Sequence, residues 1–204
     1  MDKISVSHEQ LEAVKELFNI GVGRGASVLN AMLSCHICLK VPHIEIISCK
    51  AFSNELRNFA KDSSLSAVSL AFKGAISGSA QLLFPTDTAS SLVAALVDES
   101  DDLDMDALRA GTFCEVGNIV LNGVMGSISN ILELTFDYSV PEYIETNPEN
   151  FAQKPEVKKD SHVLLARTRF TIDELDIEGD IALFMQIKAI HILIEKIEKK
   201  FDLL

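Results

Sequence analysis

The sequence predicts an α+β fold made of two related halves, each running helix, strand, strand, strand, helix, with a pseudo-twofold axis between them. Two observations support this prediction. A Glu-x-x-Asn-Ile segment that leads into a long amphipathic stretch ending in a proline occurs twice, and each half continues into paired apolar runs and a helical pattern. One half alone would expose the apolar face of its sheet, so the two halves are expected to share one core.

The duplication is clearest in the spacing of three residue types. Each Glu, each Asn and each downstream Pro recurs after the same interval of 99 residues. The matched positions are Glu16, Asn19 and Pro42 in the first half, and Glu115, Asn118 and Pro141 in the second. A register shared by three separated positions indicates an internal repeat. We therefore predict one domain over residues 1–204, with repeats over 7–97 and 106–201.

Each half also predicts a β-hairpin followed by a helix. Apolar residues alternate in the strands, and Gly78 and Gly179 are expected to enter the returning strands. The predicted strands cover residues 39–48, 66–73 and 80–84 in the first half, and 163–172 and 180–185 in the second. The predicted closing helices cover residues 87–97 and 186–201. Polar segments are expected to form a turn at 173–179 and a loop at 147–160.

Composition limits the classes of function. The net charge of −12 argues against binding to nucleic acid or to an anionic membrane surface, because both need clustered Lys and Arg. The N-terminus lacks a secretory pattern, and no apolar run reaches the roughly 18–20 residues of a membrane span. Four Cys are too few for a secreted disulfide scaffold. A soluble, cytoplasmic protein is expected.

The paired Glu and Asn side chains are the candidate functional residues. Residues three apart lie on one face of a helix, so Glu16 points the same way as Asn19, and Glu115 the same way as Asn118. Asn costs roughly 0.6 kcal/mol relative to Ala inside a helix. A hydrogen-bonded pair on a solvated helix face would explain a single copy. Two copies in register favour a functional use of the carboxamide.

The same residues resemble a known family. Glu-x-x-Asn, then 22 residues, then Pro, present twice, resembles the motif of the CheC/CheX/FliY family of response-regulator phosphatases, as does the segment Asn19-Ile20-Gly21-Val22-Gly23. The resemblance runs from about Ser7 to the C-terminus, and two motif copies suit CheC-like members best. It implies hydrolysis of the aspartyl phosphate of a CheY-type response regulator in chemotaxis-type signalling.

The resemblance also implies roles for the candidate residues. Asn19 and Asn118 would position the attacking water, and each proline would end its motif structurally. Glu16 and Glu115 would pair with the active-site Lys of the regulator. No cofactor of the chain's own is implied, because Mg²⁺ is expected on the regulator. The alternative function is a regulatory adaptor that binds a CheD-type receptor deamidase and has little catalysis of its own.

The two copies differ just upstream of the Glu. Members of the family often carry Asp or Ser four residues before it, where this chain has Glu12 and Gly111. Glu12 is expected to repel Glu16 one turn away, and Gly111 is expected to loosen its helix. Both sites are predicted to be competent, and their ranking is left open.

Two other patterns have simpler explanations. The segment from Gly21 to Gly25 resembles a nucleotide-binding loop, but it lies inside a helical pattern, so close helix packing is predicted. Asp102, Asp104 and Asp106 suggest a calcium loop, but the Gly and Glu that such a loop needs are missing. A solvated linker between the repeats is predicted there.

Cys35 and Cys38 form a lone Cys-x-x-Cys, with His43 and Cys49 nearby in sequence. A zinc site needs four converging ligands, and a redox pair needs a thioredoxin-like context. Neither is evident, and the second half has no matching cysteines. We predict no metal site, and a zinc or redox module is kept as a third hypothesis.

Overall fold

The computed structural model describes residues 6–33, 36–61, 63–96, 105–154, 161–172 and 175–202. The elements of the first half are α1 (His8–Leu33), β1 (Ile37–Ser48), α2 (Cys49–Ala60), β2 (Leu65–Gly74), β3 (Gly78–Pro85) and α3 (Thr86–Leu96). Those of the second half are α4 (Met105–Leu132), β4 (Phe136–Tyr138), β5 (Glu142–Thr146), α5 (Pro148–Ala152), β6 (Ser161–Ile172), β7 (Leu175–Gln186) and α6 (Ile187–Phe201). The same order therefore occurs twice, with the first strand of the second half divided into β4 and β5.

The described strands form one antiparallel sheet in the order β1-β6-β7-β3-β2-β4, with β5 also pairing with β2. The order is the same from either edge if β4 and β5 together are taken as the counterpart of β1. The first strand of each half pairs with the hairpin of the other half: β1 with β6, and β4 and β5 with β2. Each half therefore needs the other to complete the sheet.

Helices cover both faces of the sheet. α1, α3, α4 and α6 pack on one face around the larger core, which includes the buried rings of Phe18, Phe84 and Phe113. α2 and α5 cover the opposite face around Phe52 and Phe151. The two helices that carry the candidate residues, α1 and α4, therefore lie together on one face with the sheet behind them.

α2 is a helix that the sequence analysis did not predict. Ser48, the last residue of β1, caps it, because its hydroxyl accepts a hydrogen bond from the Ala51 N–H at 3.2 Å. Phe52 and Leu56 lie one turn apart and are buried against the sheet. α5 similarly forms within the segment expected to be a loop, so each half carries one helix more than predicted.

The close approach of α1 and α4 depends on glycines. A Cβ added to Gly21 would lie 2.5 Å from the Val124 Cα, and one added to Gly123 would lie 2.6 Å from the Gly21 carbonyl oxygen. A Cβ on Gly25 would meet the Val120 Cα at 3.2 Å. From Gly21 to Gly25 along α1, the contacted residue of α4 changes from Val124 back to Val120, so the two helices are antiparallel. The predicted role in helix packing is confirmed for Gly21 and Gly25, whereas a Cβ added to Gly23 would meet no atom within 4 Å.

The two predicted hairpins are present, and the α+β fold class is confirmed. The expected turn at 173–179 is too long, because β7 already begins at Leu175 and Gly179 lies inside it opposite Thr168. A Cβ on Gly179 would lie 2.5 Å from the ring of Phe84. This glycine therefore makes room for an aromatic ring inside the strand and does not mark its start.

Candidate functional site

The first candidate pair lies on α1. Glu16 is exposed and, within the described part of the chain, has no hydrogen-bond or ion-pair partner. Glu12, one turn upstream, is bound to Lys15 at 2.5 Å, and this hydrogen bond is the main cause that lowers the pKa of Glu12. The expected repulsion between Glu12 and Glu16 is therefore offset by Lys15. The Glu16 carboxylate is available to a cation on another molecule.

Asn19, three residues further along α1, is bonded to the strand that follows the helix. Its Oδ1 accepts a hydrogen bond from the Val41 N–H at 2.8 Å, and its Nδ2 donates to the Val41 carbonyl at 3.2 Å. The same Nδ2 also lies 3.1 Å from the carbonyl of Lys15 and donates to it. The carboxamide therefore forms hydrogen bonds with both the N–H and the carbonyl of Val41 in β1.

A bulge in β1 makes those backbone groups available. The pairing of β1 with β6 shifts register between Lys40 and His43, so the ladder is interrupted at Val41 and Pro42. Pro42 has no N–H to donate. Val41 is only 2% exposed, so its N–H and carbonyl would be buried without partners if Asn19 did not bond to them. The bond gives Asn19 a structural role at this site.

A second asparagine of α1 holds β1 in the same way. The Oδ1 of Asn30 accepts from the Ile37 N–H at 2.5 Å, and its Nδ2 donates to the Ile37 carbonyl at 3.0 Å. Asn19 and Asn30 lie about three helical turns apart and therefore share a face of α1. Both amides act as clamps that fix β1 against the helix.

The second candidate pair lies on α4 and is arranged differently. Glu115 is exposed and lacks a hydrogen-bond or ion-pair partner among the described residues. Asn118 is half-buried, and its Oδ1 accepts a hydrogen bond from the Nδ2 of Asn122 at 2.6 Å. Within the described ranges, Asn118 makes no bond to β4 or β5. Its carboxamide keeps both N–H groups and one lone pair of the oxygen for another molecule.

The chain around Pro141 explains this difference. β4 ends and β5 begins on either side of that proline, so the strand is broken where β1 only bulges. Val140 occupies the position of Val41 in the repeat, but it is 81% exposed. The Pro141 carbonyl accepts a 3.9 Å contact from the thiol of Cys114. Burial, and then the charge of Glu115, raise the pKa of Cys114, so the thiol keeps the proton that it donates.

The two pairs lie on opposite sides of the crossing between α1 and α4. Because the helices are antiparallel and meet at Gly21 and Val124, Asn19 and Asn118 are offset by about 12 Å along the helix axes, at 1.5 Å per residue. The two pairs are therefore separate sites and not two halves of one site.

Other predicted features do not join either site. Within the described residues, no group of three or more His, Cys, Asp or Glu is placed to hold a metal ion, and Cys38 and Cys49 are free thiols. Burial raises the pKa of Cys49 to about 11. Cys35, Asp102 and Asp104 lie outside the described residues. In the ranges that the structure covers, no helix has both the length and the apolar character to cross a bilayer.

The hydrogen bond from Asn122 to Asn118 was not predicted from the sequence. The signal was available, because residues four apart on a helix are neighbours, and Asn122 follows Asn118 by four. The matching position of the first half is Gly23, which has no side chain to offer. The two sites therefore differ downstream of the Asn as well as upstream of the Glu.

The strand order and the crossing helices define a duplicated α+β architecture that solved structures of other proteins share. The crystal structure of FliY from Thermotoga maritima has this fold, with a TM-score of 0.74 and 19% identity over 97% of this chain and 100% of that one. The FliM middle domain from H. pylori has it too, with a TM-score of 0.66 and 13% identity over 94% and 99% of the two chains. At these identities the likeness shows the fold alone.

Sequence comparison finds similarity to chemotaxis phosphatases. A family model described as chemotaxis phosphatase CheX matches residues 66–165, which contain Glu115 and Asn118. CheY-P phosphatase CheC of Bacillus subtilis (strain 168) is 27% identical over 143 residues, or 67% of this chain and 66% of the relative, just under two thirds of the relative's length. Both matches confirm the resemblance to the CheC/CheX/FliY family that was predicted from the sequence.

Proposed function

We propose that the chain is a phosphatase that hydrolyses the aspartyl phosphate of a CheY-type response regulator in chemotaxis-type signalling. The observation that carries the proposal is the duplicated Glu–Asn pair on α1 and α4, with both carboxylates exposed and unpaired in the described part of the chain. The name of one relative, CheY-P phosphatase CheC, and the description of the matching family model, chemotaxis phosphatase CheX, support the same reaction.

The reaction requires the phosphatase mainly to position the attacking water and not to form a covalent bond itself. Water attacks phosphorus, and the bond from phosphorus to the aspartyl oxygen breaks. Inorganic phosphate is released, and the aspartyl group of the regulator becomes a free carboxylate again. The Oδ1 of Asn118 would accept a hydrogen bond from the water and hold it in line. Glu115 would pair with a Lys of the regulator and set the docking geometry. The Mg²⁺ is proposed to arrive with the regulator, so this chain is assigned no cofactor.

The two pairs are proposed to contribute unequally. To turn towards a partner, Asn19 must release the N–H and carbonyl of a buried residue, which costs about 2–3 kcal/mol. Asn118 makes no such bonds in the described chain. Because about 1.4 kcal/mol corresponds to a tenfold change in rate, the Glu115–Asn118 site is expected to carry most of the activity. The family-model match over residues 66–165 includes this pair and not the first.

The test follows the decay of a phosphorylated CheY-type receiver with and without the protein. Asn118→Ala is expected to reduce the acceleration by at least about tenfold, and Asn19→Ala by less than about twofold. The double variant is expected to give no acceleration. These two substitutions are matched, since they change the same residue type at the same position of the repeat.

The outcomes separate the hypotheses. Fast decay with the double variant would defeat the phosphatase assignment, and a larger loss in Asn19→Ala than in Asn118→Ala would reverse the ranking. The adaptor alternative predicts a wild-type protein that binds a CheD-type deamidase and leaves the decay unchanged.

A further inference from the structure

We infer that Asn122 is a positioning residue of the second site and orients the carboxamide of Asn118 towards the attacking water. The inference rests on the proposed phosphatase function and deepens it. The Glu-x-x-Asn motif does not include Asn122, and no part of the motif sets the orientation of the amide.

The contact is direct and has a direction. Asn122 lies one turn after Asn118 on α4, and its Nδ2 donates to the Asn118 Oδ1 at 2.6 Å. The two ends of a carboxamide have similar size, but only the oxygen can accept a hydrogen bond from water. A donor fixed beside that oxygen keeps the amide from turning over and presenting its N–H groups in place of the oxygen.

The bond leaves Asn118 able to act. A carbonyl oxygen has two lone pairs, and Asn122 uses one of them, so the other is available to the water. Asn122 is exposed in the free chain, where bulk water competes for the same groups. A regulator docked over α4 would exclude that water, and a hydrogen bond is electrostatically stronger in such a low-dielectric environment.

The first site supplies the donor from a different element. Gly23 occupies the position of Asn122, is exposed, and has no atom within 4 Å of an added Cβ. There the oxygen of Asn19 accepts from the backbone of Val41. Each carboxamide oxygen therefore has one fixed donor. In the second site the donor, Asn122, is a side chain on the same helix as Asn118. The Asn118 amide therefore makes no bond to the described strands, whereas the Asn19 amide is bonded to β1.

The experiment measures kcat and KM for dephosphorylation of a phosphorylated CheY-type receiver. Asn122→Leu removes the donor at similar volume and, because the position is exposed, should leave the melting temperature unchanged. We expect kcat to fall about 3- to 10-fold at unchanged KM, the size of one lost neutral hydrogen bond. Asn122→Gln keeps an amide donor one turn from Asn118 and should restore most of kcat.

Gly23→Asn is the matched control. It should leave kcat and KM unchanged, because the oxygen of Asn19 already accepts a hydrogen bond from the Val41 N–H. Absence of acceleration by the wild-type protein would remove the proposed function itself. Unchanged kcat in Asn122→Leu, with wild-type activity present and Asn118→Ala inactive, would overturn only the role of Asn122. A raised KM at unchanged kcat would also overturn it, because Asn122 would then contact the regulator directly.

Discussion

Asn19 and Asn118 occupy the same position in the two halves, yet one bonds to a buried strand and the other to a neighbour on its own helix. The cause lies 22 residues downstream in each half. Val41 sits in a bulge of the long strand β1, whereas its counterpart Val140 sits in a break between β4 and β5. One motif can therefore serve as a structural clamp or as an open carboxamide, depending on the strand that follows it.

The largest expected effect concerns what the two sites share, which is the crossing of α1 and α4. Gly21→Ala places a methyl group 2.5 Å from the backbone of α4, so we expect it to lower the free energy of unfolding by about 3 kcal/mol. Gly23→Ala, two residues away in open space, should raise it by about 0.5–1 kcal/mol. Urea denaturation checks both. Similar stabilities for the two variants would show that the helices do not need this close approach.

An intermediate effect tests whether the two asparagines differ in structural role. Asn19→Ala leaves the N–H and carbonyl of buried Val41 without partners, so the free energy of unfolding should fall by about 2–3 kcal/mol. Asn118→Ala loses only an exposed bond and gains helix propensity, so it should be neutral or up to about 0.6 kcal/mol more stable. Thermal melts at one pH give the comparison. Equal destabilisation would mean that both amides hold structure.

The smallest expected effect separates the two hairpins. Asp180 is 2% exposed, and its Oδ2 accepts from Arg167 at 2.8 Å while its Oδ1 is buried without a partner in the described chain. Burial raises the pKa of Asp180 from 3.8 to about 7; Arg167 opposes this shift, and the carboxylates of Glu45, Glu55 and Glu178 add to it. The position after the glycine in the first hairpin is the neutral Ser79.

The sign of the pH effect follows from that raised pKa. The folded state holds the proton of Asp180 more tightly than the unfolded state, so stability should fall as pH rises from about 4 through 7. Between pH 5.5 and 8 the loss is expected to be about 1–2 kcal/mol. Asp180→Asn should flatten this slope in melts across the range, and Ser79→Ala should leave it as in the wild type. A slope that persists in Asp180→Asn would assign the pH dependence to other groups.

Much of the fold could be predicted because local apolar patterns report burial. The hairpin strands follow from alternation, and α6 follows from its isoleucines at three-to-four spacing. α2 was missed although Phe52 and Leu56 lie one turn apart, because Ser48 ends β1 and caps the helix with no turn residue between the two elements. α5 is only five residues long, which is too short for a periodic pattern to appear.

The site could be predicted only in part. The three-residue spacing was enough to place each Glu and Asn on one helix face. The bond from Asn19 to Val41 could not be predicted, because it depends on a bulge at Pro42 and on the packing of β1 against α1, neither of which is local in sequence. Asn122 was within reach of the same spacing argument that identified Asn118.

The exchange of first strands between the halves has a consequence for how the protein folds. Ile37 pairs with Ile172, so β1 has no partner in the sheet until the last hairpin has been synthesised. Pairing between such distant segments slows folding, and an edge strand left open meanwhile can pair with another chain. The clamp of Asn19 on β1 also reaches its native surroundings only when β6 is in place. A partly synthesised chain therefore lacks a finished first site, which matures only after β6 has formed.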